Sequence, residues 1–121
     1  MLRPYLKIMK ALADGNRTKI IKMLQRREMC VCELQAVLGL AQPSVSKHLR
    51  ILEEARLVES HKDGLWVNYR LPDKPRSIYI SHMQKILRDW LNDDPDIQQT
   101  VRKAGDVDRC QISGRCRQGG R

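Results

Sequence analysis

The chain has 121 residues, enough for one domain with or without a tail but too few for two independent cores. Hydrophobic residues make up 41%, aromatics only 4%, and Phe is absent, so the core must be built from aliphatic side chains. Lys and Arg number 23 against 14 Asp and Glu, and the resulting +9 predicts an acidic partner, with nucleic acid ahead of an anionic membrane surface. No run approaches the roughly 20 apolar residues of a membrane span, and the start lacks the pattern of a secretory signal. The expected location is therefore the cytoplasm, with four cysteines kept as reduced thiols. A transmembrane protein, a secreted disulfide scaffold and a large enzyme are excluded.

Leu2, Leu6, Ile8, Met9 and Leu12 predict a short amphipathic first helix, punctuated by Asp14-Gly15-Asn16. Asn16 is the expected N-cap of a second helix whose apolar face is Ile20, Ile21 and Leu24, with Met23 beside it. A third helix is predicted over 32–38, carrying Leu34, Val37 and Leu38 and stopped by Gly39. Gln42-Pro43 opens a fourth over 42–55, with Val45, Leu49 and Leu52 inward and Leu57 buried beyond its end. The period then changes to two β-compatible runs, 58–62 and 65–71, joined at Asp63-Gly64. After a break at 72–75, a last helix is predicted over 77–92 with Tyr79, Met83, Ile86, Leu87, Trp90 and Leu91 on one side.

This order predicts a mainly α fold with a β-hairpin wing, a winged helix-turn-helix occupying residues 1–94. Residues 95–121 are expected to form a flexible, basic, Cys-containing tail, since 102–121 alone hold 6 basic and 2 acidic side chains. Leu2, Tyr5, Leu6 and Met9 of the first helix and Met83, Ile86, Leu87 and Trp90 of the last offer more apolar surface than a Phe-free core would cover. A homodimer through first and last helices is expected. It would set its recognition helices about 34–36 Å apart, on an imperfect palindrome of double-stranded DNA.

A helix-turn-helix presents the N-terminal half of its second helix to the major groove. With Val45, Leu49 and Leu52 turned inward, Gln42, Ser44, Ser46, Lys47, His48 and Arg50 are left outward or flanking. This mixture of amide, hydroxyl and basic groups suits phosphate and base-edge contact. Lys62, beside the hairpin turn with His61 behind it, is the candidate wing contact. The hairpin also reads as structural, with Trp66, Val67 and Tyr69 completing the core.

The run Ala11-Leu12-Ala13-Asp14-Gly15-Asn16-Arg17-Thr18-Lys19-Ile20-Ile21 resembles the opening of the ArsR/SmtB metalloregulators. Glu28-Met29-Cys30-Val31-Cys32-Glu33-Leu34 resembles the family's entry to the third helix, and Pro43-Ser44-Val45-Ser46-Lys47-His48-Leu49-Arg50 its recognition helix. Together with a wing-like 64–71, the resemblance covers roughly residues 5–92. It implies a homodimeric repressor that releases operator DNA on binding a toxic metal or metalloid. Two positions depart from the pattern. Arg56 stands where members place Gly after the recognition helix, and a left-handed non-glycine residue costs about 1 kcal/mol. The helix end is therefore expected either to differ or to send Arg56 to a phosphate. Leu65 stands where the wing tip usually carries Arg, which leaves Lys62 as the wing's candidate.

Cys30 and Cys32 lie at the entrance of the third helix. In a regular helix, residues two apart point about 200° from each other, but an irregular entrance lets two sulfurs converge. The helix N-terminus is expected to favour thiolate, a good ligand for a soft ion. Two buried structural cysteines are the plainer alternative. Arsenic-responsive members resembling this segment carry a third cysteine three residues on, where this chain has Gln35. Lead- and cadmium-type members use N-terminal cysteines, and none precedes Cys30 here. The zinc-type set on the final helix is missing, with only Asp89 and His82 there. Cys110 and Cys116 in the tail are then the candidates to complete the site. As(III) or Sb(III) would take three thiolates, whereas all four would suit Cd(II) or Zn(II). The expected function is a repressor released by As(III) or Sb(III), needing no organic cofactor. A Cd/Pb/Zn-responsive or thiol-redox-responsive repressor is the alternative. A thiol enzyme is disfavoured by the absence of C-x-x-C, a Cys-x5-Arg loop or a Gly-rich fingerprint, and a sequence-independent architectural protein would bind all duplexes alike.

Overall fold

The computed structural model describes residues 2–109 and residue 112. α1 (Leu2–Leu12) buries Ile8 and Ala11 and leaves Leu2, Tyr5 and Leu6 exposed. α2 (Gly15–Leu24) is capped by Asp14, not by the expected Asn16: Asp14 is extended and its carboxylate accepts the Arg17 backbone N–H at 3.0 Å. Asn16 already lies inside the first turn, so its side chain cannot play that part. The accepted Arg17 N–H holds the Asp14 carboxyl below its ordinary value.

A two-residue strand, β1 (Met29–Cys30), precedes α3 (Val31–Leu38), which ends at Gly39 with φ 69. Only glycine takes that left-handed conformation without a side-chain penalty. α4 (Gln42–Glu54) starts after the Gly39-Leu40-Ala41 turn with Pro43 in its first turn, where its missing N–H costs nothing. Arg56 follows at φ 65, so the chain keeps the left-handed helix end despite lacking glycine. β2 (Glu59–Asp63) and β3 (Trp66–Arg70) form the antiparallel wing, with Gly64 at φ 64 beside Leu65 in the turn. The sheet order is β1-β3-β2, with Met29 opposite Tyr69 and Cys30 opposite Asn68.

α5 (Ile78–Asp89) is capped by Ser77 and is shorter than the predicted 77–92. Trp90 is extended and Leu91 has φ 69, so both lie past the helix end instead of on its apolar side, and both are exposed. The expectation of a tail starting at 95 is also corrected. Residues Pro95–Asp106 form α6, whose N-cap Asp94 accepts the N–H groups of Asp96 and Ile97. Ile97, Thr100 and Ala104 bury one face of α6 beside α2 and α3.

The core is aliphatic, as the composition requires: Ile20, Met23, Met29, Leu34, Val45, Leu49 and Leu52 are fully enclosed. The wing contributes little to it. Val67 is exposed, Trp66 half-buried, and only Tyr69 packs against the core. Instead the wing base is tied by charge. Glu28 meets His61 and, at 3.4 Å, Arg70, which also reaches Glu59 at 2.8 Å. The His61 bond, ahead of the other contacts, holds the Glu28 carboxyl below its usual range.

Candidate nucleic-acid interface and thiol site

α4 orients its polar side chains because Val45, Leu49 and Leu52 are anchored at zero exposure. Gln42, Ser44, Ser46, Lys47 and Arg50 are exposed on the opposite side. His48 stands apart from that set: it is half-buried, with Nδ1 3.2 Å from Nη1 of Arg17. Arg17 itself donates from Nε to the Ala11 carbonyl at 2.7 Å and from Nη2 to that of Lys10 at 3.2 Å. His48 thus sits where α4 meets the closed end of α1. On the wing, Lys62 is exposed and Leu65 is the apolar tip.

The two cysteines converge. Cys30 is extended (φ −87, ψ 170) as the N-cap of α3, and its Sγ lies 2.7 Å from that of Cys32. Glu33 fixes the entrance by accepting the Cys30 backbone N–H at 3.0 Å, the carboxylate half of a capping box. Arg27 Nη1 in turn donates to Glu33 at 3.1 Å, while its Nη2 donates to the carbonyls of Ala104 and Val107 at the end of α6. The expected thiolate is not favoured at Cys30. Burial, with the Cys32 thiol beside it, pushes the Cys30 thiol up to about 12 and overrides the helix N-terminus.

Both thiols open on a cleft of about 240 Å³ lined by Val31 and Gln35 of α3, Gln42 at the start of α4, and Leu65, Trp66 and Val67 of the wing. One site therefore borders both elements that a winged helix-turn-helix uses on DNA. Among the described residues no third His, Cys, Asp or Glu joins the pair in a metal-holding group. Cys110 and Cys116 lie outside the described residues. The sequence reading missed Glu33, Arg27 and Arg109. For Glu33 a signal existed, since it stands three residues after the N-cap. Arg109 acts across more than forty positions and leaves no local pattern.

A helix-turn-helix with an exposed polar recognition face and a short wing defines a DNA-binding transcriptional regulator. The chain belongs to the ArsR family. Residues 14–60 match the family described as "Bacterial regulatory protein, arsR family". The chain is 39% identical over 93 residues to the arsenic resistance transcriptional regulator ArsR1 of Pseudomonas putida, covering 72% of this chain and 71% of that one. It is 42% identical over 67 residues to the arsenical resistance operon repressor of Escherichia coli, covering 54% of this chain and 57% of that one. A SmtB-homologous repressor of Synechocystis is 40% identical over 83 residues, 69% of this chain and 60% of its own. Among solved structures, HlyU from Vibrio cholerae superposes with a TM-score of 0.60 at 31% identity, covering 71% of this chain and 89% of that one. The homodimeric winged helix-turn-helix domain Mb0332 from Mycobacterium bovis gives 0.61 at 24% identity, covering 72% and 77%, a likeness of fold. No described helix is long and apolar enough to cross a membrane.

Proposed function

We propose that this repressor acts in the cytoplasm as a homodimer and releases its operator when trivalent arsenic, or antimony, is captured by Cys30, Cys32 and a third cysteine. The observation that carries the reading is the converging thiol pair on a cleft walled by the start of α4 and by the wing. The chemistry of arsenite suits protonated thiols. Each S–H condenses with an As–OH, forming an S–As bond and expelling water, so three thiols and As(OH)3 give the tris-thiolate and three waters. The proton leaves with hydroxide, and a high thiol pKa is no obstacle. A divalent cation would instead have to shed those protons to solvent.

The third cysteine is Cys110 or Cys116, both of which follow the described body in sequence. Dimerisation is assigned to the exposed apolar patch of Leu2, Tyr5 and Leu6 on α1 and Ile78, Trp90 and Leu91 on and after α5, where Tyr5 and Tyr79 are already in edge contact.

Fluorescence anisotropy of the reduced protein on the duplex upstream of its own coding sequence, with and without arsenite, tests the reading. Release by arsenite supports it. Release only by Cd(II) or Zn(II), or only by oxidant, transfers the signal to those agents. In the same assay Gln42, Ser44, Ser46, Lys47, His48, Arg50 and Lys62 are the proposed DNA contacts. Lys47→Ala is expected to lower the slope of log K against log salt by about 1 if Lys47 meets a phosphate. An unchanged slope removes that role.

A further inference from the structure

We propose that Arg109 is a positioning residue for DNA binding, bracing the wing and cancelling an acidic charge at its tip. Although Arg109 lies beyond α6, the residue is only 6% exposed, with its side chain folded onto the wing. Nη1 donates to Asn68 Oδ1 at 3.1 Å and Nη2 to Asp63 Oδ2 at 3.0 Å, and the guanidinium lies 4.8 Å from the centre of the Trp66 ring. These three partners belong to the hairpin: Asp63 closes β2, Trp66 is its register partner, and Asn68 follows on β3.

The wing needs such support. A two-stranded hairpin is marginal by itself, and the only described strand that extends this one, β1, is two residues long, while the ties to Glu28 and the core are at its base, not its tip. It also carries a liability, since the Asp63 side chain is half exposed beside Lys62, the candidate phosphate contact. An uncompensated carboxylate there would repel the backbone that Lys62 is to meet. Arg109 supplies the opposite charge and, by stacking on Trp66, fixes the hairpin's tilt. The support behind it is rigid, because Arg27 holds the carbonyls of Ala104 and Val107 just upstream.

The test is the inducer-free full chain on the upstream duplex and on a random duplex, comparing wild type, Arg109→Ala, Asp63→Asn and the double variant across salt. Arg109→Ala leaves the Asp63 carboxylate uncompensated by Arg109 beside Lys62. Its salt slope should fall by about 0.9, making its affinity defect about 3.5-fold larger near ~50 mM salt than near ~200 mM. Asp63→Asn in the Arg109→Ala background should restore slope and most of the affinity, a rescue that a merely structural role would not show. Wild-type affinity in Arg109→Ala, or a salt-independent loss that Asp63→Asn does not rescue, overturns the proposal. A wild-type chain that binds neither duplex overturns DNA binding itself, and an arsenite-insensitive chain with a normal Asp63 rescue overturns only the inducer assignment.

Discussion

A Cys32→Ser chain is expected to hold its operator as tightly as the wild type and to keep holding it when arsenite is added. Cys32 is half-buried at the first turn of α3, and the Cys30 thiol is the hydrogen-bond partner of its sulfur. Serine keeps the shape while removing the soft donor. The Glu33 bond to the Cys30 N–H, which fixes the helix entrance, does not involve this side chain. Cys30 is a poorer place to make the same test, because it is buried and a hydroxyl there would need a partner. An allosteric coupling of about 1–3 kcal/mol corresponds to roughly a 5- to 150-fold loss of operator affinity on inducer binding. In Cys32→Ser that loss should shrink to less than about twofold at the same arsenite concentration. Anisotropy titrations with and without arsenite measure both quantities, and a full response from the serine variant would falsify the thiol mechanism.

The helix-turn-helix was readable because its inward positions are large and periodic. Val45, Leu49 and Leu52 announce a face by spacing alone, and Gly39 marks the turn by a conformation other residues resist. The convergence of Cys30 and Cys32 followed from the same kind of reasoning, since an N-cap residue is not yet helical. α6 escaped because two of its three buried positions are Thr100 and Ala104, too small or too polar to register as an apolar stripe. Its one strong signal was Asp94-Pro95, a cap followed by a first-turn proline. β1 has no period to detect in two residues. The Cys30 thiol's protonation went against the helix-end argument because burial, which local sequence does not reveal, is the larger effect. Contacts such as Arg109 to the wing and Lys22 to the end of α5 join segments more than forty residues apart, and only the folded chain brings them together.

Lys22→Met is expected to cost about 2–4 kcal/mol of folding stability, the largest loss anticipated for a residue outside the aliphatic core. Lys22 is buried on α2, and its ammonium donates to the Leu87 carbonyl at 2.7 Å, the Trp90 carbonyl at 3.0 Å and Asn92 Oδ1 at 2.8 Å. It is in effect the cap of α5, supplied from another helix, and a cation suits the negative end of the helix dipole. Methionine fills the volume but leaves three acceptors without this donor. Urea denaturation followed by circular dichroism would measure the loss, and a cost below about 1 kcal/mol would mean that water replaces the ammonium at these oxygens. The same pair of proteins carries a pH signature. Burial, reinforced by Arg26 and opposed by Asp89, lowers the Lys22 pKa from the ordinary 10.5. Between the lowered value and 10.5 the unfolded chain binds the extra proton, so the wild type's stability rises with pH across that window. Methionine has no proton to lose. The wild type's advantage over the variant should therefore widen as pH climbs toward 10.5, and a difference that stays flat or narrows there would show that the three oxygens, not burial, set the proton affinity of Lys22.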